Sequence, residues 1–131
     1  MSVELQMLAW STTLLIALVV VQALAGVRAQ GLMPMAGPRD DLPPPKKYQA
    51  RMLRVVDNHR EGLTMFAPLV LIAAVAQISN QWTVLGAQLF FYSRLAHAVL
   101  YIAGVPLVRP LAWAVGLAGV VMVLLAVLGV I

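Results

Sequence analysis

Long runs of apolar residues, separated by shorter polar segments, dominate the chain. Four such runs predict helices over residues 4–28, 47–79, 82–104 and 107–130. Each run is long enough to cross a bilayer, because a helix rises about 1.5 Å per residue and about 20 apolar residues span the hydrocarbon. The runs lack the two-residue alternation of a barrel strand, so we expect helices that satisfy their own backbone hydrogen bonds in lipid.

The links between the runs predict how the helices are arranged. The segment GLMPMAGPRDDLPPPKKY follows the first run, and we interpret residues 29–46 as a loop, since the successive prolines Pro43–Pro45 do not continue a helix. The links at Ser79–Gln81 and Gly104–Pro106 are short, which makes consecutive helices antiparallel neighbours. The sequence therefore predicts an all-α membrane protein, a single domain over residues 1–131 with four transmembrane helices in an up-down left-handed bundle.

The composition supports a membrane protein and excludes several kinds of site. Hydrophobic residues make up 62% of the chain and charged residues 11%, whereas soluble domains have about 25% charged residues. The chain has no cysteine, which excludes disulfides and cysteine-based catalysis. His59 and His97 are far apart in the sequence and have no carboxylate cluster at ligand spacing, so no metal site is expected.

Basic residues are concentrated at one side of the predicted bundle. Seven of the nine Lys and Arg residues lie between Arg28 and Arg60, and Arg109 flanks the link between helices three and four. The positive-inside rule places these ends in the cytoplasm. The loop 29–46 is then cytoplasmic and both termini lie outside the cytoplasm.

Two other interpretations of these segments are weaker. The first run resembles a signal peptide at Ala23–Ala25, but Glu4 lies where a signal peptide has basic residues. The basic segment before the second span resembles a nucleic-acid-binding stretch. Basic residues beside membrane spans are more often topology determinants or contacts to anionic lipids, so no nucleic acid is expected as a partner.

Polar residues at membrane depth form stripes on three of the helices. Charges there cost about 2.5–3.5 kcal/mol each on insertion scales, so those retained usually face the bundle interior and indicate a site. The stripes follow the helical spacing i, i+3, i+7. They comprise Arg51, Arg54, Asn58 and Glu61 on helix two, Arg94, His97 and Tyr101 on helix three, and Arg109 with Trp113 on helix four. Together they predict a cationic, donor-rich pocket that suits an anionic ligand.

Glu61 and Arg94 are predicted to form a structural ion pair, because neither charge has another opposite partner at that depth. Two roles for the pair stay open. Together with Asn58, it either fixes the register of two helices or shapes a ligand pocket. His97 and Tyr101, taken singly, also fit an ordinary helix–helix hydrogen bond and an interfacial aromatic position.

The polar stripes contain two motifs that extend over helices two to four. The first, R-x-x-R-x-x-x-N-x-x-E-x-x-x-x-F, corresponds to Arg51, Arg54, Asn58, Glu61 and Phe66. The second, R-x-x-H-x-x-x-Y followed by a proline and an arginine, corresponds to Arg94, His97, Tyr101, Pro106 and Arg109. Both resemble motifs of the membrane-associated proteins in eicosanoid and glutathione metabolism, the MAPEG family. The resemblance covers nearly the whole chain and is nearest to the short bacterial branch, which implies the bacterial inner membrane.

The resemblance implies a homotrimer that holds glutathione, as a cosubstrate, between adjacent subunits near the cytoplasmic side. The contacts that it implies are Arg28, Arg54, Asn58, Glu61, His97, Tyr101 and Arg109. The implied chemistry is activation of the glutathione thiol as a thiolate, with Arg109 as the catalytic residue that stabilises the negative charge.

Three residues depart from the catalytic eicosanoid enzymes of the family. Asp57 stands where they have an arginine, and Pro110 and Trp113 stand where the prostaglandin synthase branch has hydroxyl-bearing residues. The leading hypothesis is a glutathione-dependent transferase or peroxidase that acts on hydrophobic electrophiles or lipid hydroperoxides from the bilayer. The alternative is a non-enzymatic, lipid-binding scaffold of the same fold, which Asp57 favours. A transporter or channel ranks last, because the outer halves of the spans are apolar.

Overall fold

The computed structural model describes residues 1–131 and contains five helices and no strand. Four of the helices are long, and a short one follows the first. Their bounds are α1 Val3–Gln30, α2 Leu32–Ala36, α3 Lys47–Val75, α4 Gln81–Ala103 and α5 Val108–Val127. The all-α prediction is confirmed.

Polar caps and a glycine define the ends of the long helices. The Ser2 hydroxyl accepts a hydrogen bond at 3.3 Å from a backbone N–H in the first turn of α1. The Asn80 side chain accepts from the N–H groups of Trp82 and Thr83 at 2.9 and 3.1 Å at the start of α4. These contacts satisfy donors that have no partner within the helix. Gly104 ends α4 with a left-handed φ of 77°, which a residue without a Cβ adopts at little cost.

The segment 29–46 differs from the predicted continuous loop, because it contains α2. The Leu, Met and Ala residues of α2 favour a helix, and Pro34 lies in its first turn, where the missing N–H is tolerated. Helix α3 ends at Val75, earlier than predicted, and the chain turns at Gln77 with a positive φ of 56°.

A stack of two aromatic rings joins α3 to α4 in the interior. The rings of Phe66 and Phe90 lie 4.1 Å apart between centroids, and both side chains are buried. Val70, Ala87 and Val123 belong to the same apolar cluster, which therefore includes α5. Lipid chains are as apolar as these side chains, so close van der Waals packing is what stabilises such an interior in a membrane.

Two glycines bring α4 and α5 together backbone to backbone. A Cβ on Gly86 would lie 2.7 Å from the carbonyl oxygen of Gly119, and a Cβ on Gly119 would lie 2.5 Å from that of Gly86. Small residues permit this approach at helix interfaces in membranes. The contact fixes α5 against α4 and so sets the position of Arg109 relative to Tyr101.

Two of the helices, α1 and α5, are long and apolar enough to cross a membrane, judged by length and composition. Helices α3 and α4 do not meet the same criterion, because their polar stripes lower their mean hydropathy. Apolar side chains on several helices are more than half exposed, including Ile16, Leu24, Leu71 and Leu111. A surface of this kind suits lipid rather than water.

A buried carboxylate connects the start of α1 to the turn between α3 and α4. Glu4 is 2% exposed and accepts hydrogen bonds from the hydroxyl groups of Thr83 at 2.5 Å and Ser79 at 2.9 Å. These contacts tie together the end of the bundle that lies away from α2. The sequence prediction assigned Glu4 no structural role, since its partners are far along the chain.

Candidate functional site

Four helix ends meet at the end of the bundle near α2, where α1 and α4 end and α3 and α5 begin. A cavity of about 500 Å³ lies there among side chains of α3, α4 and α5, and we call it the α3–α5 cavity. Its lining consists of Arg54, Asp57, Asn58, Glu61, His97, Tyr101, Arg109, Pro110 and Trp113. Six of the seven residues that the family resemblance connects with glutathione therefore surround one space.

Two guanidinium groups lie against the ring of Tyr101 on the cavity wall. The Cζ of Arg109 is 4.8 Å from the ring centroid, and the Cζ of Arg54 is 5.8 Å from it. His97 lies one helical turn away on α4, with its ring centroid 5.7 Å from that of Tyr101. Each cation–π contact of this kind contributes about 0.5–1 kcal/mol at an exposed site. The aromatic ring thus holds both cations on the same side of the cavity.

The partner of Arg94 differs from the one predicted. Only 3% of Arg94 is exposed, and its guanidinium donates a hydrogen bond to the Oδ1 of Asn58. The structure contains one salt bridge, between Arg60 and Asp57, so the predicted ion pair of Glu61 with Arg94 is not formed.

The direction of the side chains accounts for this difference. The Cδ of Arg94 packs near Gly62, 3.9 Å from where a Cβ on that glycine would be, and the guanidinium continues to Asn58. Glu61 is exposed on the cavity wall instead. Because the Oδ1 of Asn58 accepts from Arg94, its amide nitrogen remains free to donate to a ligand.

Carboxylates balance the charge of the α3–α5 cavity. Arg54 and Arg109 line it together with Asp57 and Glu61, so it has less positive charge than the cationic, donor-rich pocket that the sequence predicts. Arg60 donates to Asp57 one turn along α3. This counter-ion reduces the repulsion that Asp57 exerts on an anionic ligand.

Arg28 lies outside the α3–α5 cavity. It is in the last turn of α1 and borders a separate, mostly apolar cavity of about 320 Å³. Within one chain, the structure therefore does not bring Arg28 to the other six residues.

Two of the lining residues, Asp57 and Pro110, are not part of the polar stripes that the sequence predicts. Both belong to the cavity wall, as does Trp113, which the predicted stripe on helix four includes. The helical spacing contains a signal for Asp57, since it precedes Glu61 by four residues.

His59 does not line the α3–α5 cavity and instead joins α3 to α1. Its Nε2 lies 2.8 Å from the backbone carbonyl oxygen of Ser11, and the side chain is buried between α3 and α1. Because a carbonyl oxygen only accepts, this ring nitrogen is the donor. No group of three or more His, Cys, Asp or Glu side chains is placed to hold a metal ion.

A second polar cavity, of about 490 Å³, adjoins the first. The two share Arg54, Tyr101, Arg109 and Pro110. The second adds Lys47 and Arg51 and contains no acidic residue. Positive charge at this end of the bundle is therefore strongest beside the α3–α5 cavity, near the start of α3.

Comparison with known families gives one match. The model of the MAPEG family matches residues 7–129, which include all residues of the α3–α5 cavity. The comparisons with curated proteins and with solved structures gave no match.

Proposed function

Because the chain belongs to the MAPEG family, we propose that it is a membrane-embedded, glutathione-dependent transferase or peroxidase. Its second substrates are hydrophobic electrophiles or lipid hydroperoxides. The observation that carries this proposal is the α3–α5 cavity, which gathers polar residues from three helices at one end of an apolar bundle. Polar and charged groups beside lipid raise the free energy of membrane insertion, so a collection that is retained there indicates a ligand site.

The polar groups of the α3–α5 cavity fit glutathione, which at neutral pH has two carboxylates, one ammonium group and two amides. Arg54 and Arg109 offer cations to the carboxylates, and Glu61 offers an anion to the ammonium group. The amide nitrogen of Asn58 offers a donor to a carbonyl or carboxylate oxygen. The volume of about 500 Å³ is within the range of about 300–1,000 Å³ for small-molecule sites. A balanced cavity suits this zwitterionic peptide.

Arg109 is our choice for the catalytic residue. Glutathione, when bound, supplies a thiol that is a nucleophile towards electrophiles and a reductant towards hydroperoxides. A guanidinium beside the sulfur stabilises negative charge there and so favours loss of the thiol proton. The Tyr101 ring lies against Arg109 and restricts its position, while the buried His97 supports Tyr101 on the same face of α4.

We further propose that α3 and α4 cross the membrane together with α1 and α5, which gives four spans in an up-down bundle. Helix α1 packs along α3, and α4 packs along α5, so each polar helix has an apolar helix beside it. The basic residues near the start of α3 support a cytoplasmic location for that end of the bundle. Hydrophobic substrates then reach the cavity sideways from the bilayer.

A homotrimer is part of the same proposal. Arg54, Glu61 and Trp113 are exposed on the cavity wall of the single chain, so a neighbouring subunit has room to complete the site. Light scattering of the detergent-solubilised protein should give three copies. Glutathione binding by a monomer would contradict the shared site.

The proposed activity is tested with the purified full-length protein in detergent. Conjugation of glutathione to a chloronitrobenzene and reduction of cumene hydroperoxide are the two assays. Loss of one group that stabilises a developing negative charge costs about 10²–10³ in rate, so Arg109→Ala should lose activity by about that factor. Arg109→Lys should retain part of it, because the charge remains.

Arg39→Ala is the matched control, since Arg39 lies between α2 and α3 and does not line the α3–α5 cavity. It should leave both activities unchanged. Binding of glutathione without turnover of either probe would favour the alternative, a non-enzymatic lipid-binding scaffold. Full activity of Arg109→Ala would remove Arg109 from the catalytic role.

A further inference from the structure

Arg94 is the only arginine or lysine that the single chain buries, with 3% of the residue exposed. The residues around it belong to α3, α4 and α5 of the same chain, so a neighbouring subunit does not alter its burial. The structure contains one salt bridge, between Arg60 and Asp57, and none to Arg94. A buried charge without an ionic partner lowers the stability of a protein, so its retention indicates a function.

Two glycines let the side chain of Arg94 pass between α3 and α5. A Cβ on Gly62 would lie 3.9 Å from the Cδ of Arg94, and a Cβ on Gly116 would lie 3.3 Å from the same atom. The second distance is tighter than an ordinary van der Waals contact, so an alanine in place of Gly116 would displace the side chain. Beyond the glycines, the guanidinium reaches Asn58 and donates a hydrogen bond to its Oδ1.

The guanidinium of Arg94 lies beside the α3–α5 cavity but out of reach of a ligand in it. A narrow crevice that Arg94 lines continues from the cavity, and Asn58, Glu61 and Trp113 line both spaces. The crevice has a volume of about 10 Å³, which is room for about one water molecule. A tripeptide in the cavity therefore does not touch Arg94, and Asn58 stands between them.

We propose that Arg94 is a positioning residue that makes the α3–α5 cavity selective for a carboxylate at Asn58. Only the Oδ1 of Asn58 can accept from the guanidinium, so the amide is fixed with its N–H groups left for the ligand. Hydrogen bonds in a chain polarise one another, so the contact with a cation makes these N–H groups stronger donors. A ligand carboxylate that accepts from them supplies the counter-charge that Arg94 lacks.

The other charged groups of the α3–α5 cavity do not replace Arg94 in this role. Glu61 is exposed on the cavity wall and forms no salt bridge with Arg94. Arg54 and Arg109 also attract carboxylates, but both are exposed, and solvent screens their charges more than that of a buried guanidinium. Arg94 therefore adds selectivity at one carboxylate, the one at Asn58. The inference rests on the proposed glutathione-dependent function and identifies the residue behind one part of its ligand selectivity.

Calorimetric titration of the purified full-length protein with three ligands tests the proposal. They are glutathione and two analogues, in each of which one of the two carboxylates is replaced by a neutral amide. The wild type should bind each analogue about tenfold more weakly than glutathione or worse, because a hydrogen bond to a charged group is lost. In Arg94→Met this penalty should fall to about twofold for one analogue and stay unchanged for the other. Arg94→Lys keeps the charge and should retain part of the penalty.

Gly116→Ala tests the same role from α5 without removing a charge. Its Cβ would displace Arg94, and Gly116 does not line the α3–α5 cavity, so the same analogue should lose most of its penalty. Two controls should keep both penalties. Ala118→Val changes the exposed side of α5, and Arg39→Met removes a charge away from the cavity. Circular dichroism in the same detergent shows whether each variant keeps its helices.

Unchanged penalties for both analogues in Arg94→Met and Gly116→Ala would overturn the proposal. An equal reduction for both analogues would also overturn it, because the effect would then be a general loss of positive charge or of packing. If Arg94→Met does not fold, Arg94→Lys and Gly116→Ala decide the question by the same comparison. A wild type that binds none of the three ligands would contradict the proposed function and this inference with it, whereas wild-type binding with unchanged selectivity in the variants contradicts the inference alone.

Discussion

Replacing Asn58 and Arg94 separately and together shows how the buried guanidinium is held. Arg94 is 3% exposed, donates to Asn58, and has no partner for its Nε. Asn58→Leu removes that acceptor and leaves a buried, charged donor without its hydrogen bond, which typically costs about 1.5–3 kcal/mol in free energy of unfolding. Arg94→Met removes the charge and keeps much of the volume, so its cost should be below about 1.5 kcal/mol.

The double variant carries the sharper expectation. When Arg94→Met is already present, Asn58→Leu leaves no guanidinium without its acceptor. The double variant should therefore be little less stable than Arg94→Met alone. The coupling energy between the two sites should reach about 2–3 kcal/mol, at the upper end for contacting residues. Glu61→Gln should change stability by about 1 kcal/mol or less, since Glu61 is exposed and has no salt bridge.

The measurement is reversible unfolding in mixed micelles, followed by the helical circular dichroism signal. Additive losses for Asn58→Leu and Arg94→Met would show that the hydrogen bond does not hold the guanidinium. If Glu61→Gln lowers the free energy of unfolding more than Asn58→Leu does, the result would support the ion pair of Glu61 with Arg94 that the sequence predicts. It would also refute the contact of Arg94 with Asn58.

Three other predictions concern packing, burial and topology. Gly119→Ala should destabilise the protein by about 1–3 kcal/mol in the same assay, because its Cβ would meet the carbonyl of Gly86 at 2.5 Å, while Ala118→Val on the exposed face should not. Glu4→Ala should cost about 1–3 kcal/mol, chiefly because the buried hydroxyl of Thr83 loses its acceptor Glu4, and an unchanged stability would contradict that contact. A cysteine at Asn80 should react with an impermeant thiol reagent in intact cells, whereas reaction at Arg39→Cys instead would reverse the orientation.

The residues gathered in the α3–α5 cavity were largely predictable from the sequence. Arg54, Asn58 and Glu61 repeat at helical spacing, as do His97 and Tyr101, so each set had to share a helix face. Short links then brought those faces together at one end. The salt bridge of Asp57 with Arg60 was also predictable, because the two residues lie at the ordinary i+3 spacing of a helix.

The remaining features depend on information that periodicity does not contain. Helix α2 is too short to show a period, so the sequence pattern predicts a loop there. The partner of Arg94 was missed because a long, flexible side chain reaches about one helical turn beyond the level of its own Cα. The Glu4 contact with Thr83 joins residues far apart in the chain, and only the packed bundle brings them together.

Calorimetric titration of glutathione into the purified full-length protein tests the central claim most directly, because it measures occupancy of the α3–α5 cavity without assuming turnover. The wild type should bind saturably at millimolar glutathione. Arg54→Ala and Arg109→Ala should each weaken binding about tenfold or more, since a hydrogen bond to a charged group contributes about 1.5–3 kcal/mol, and Arg39→Ala should bind like the wild type. Absence of binding at millimolar glutathione, or equal affinities in all four proteins, would contradict the account.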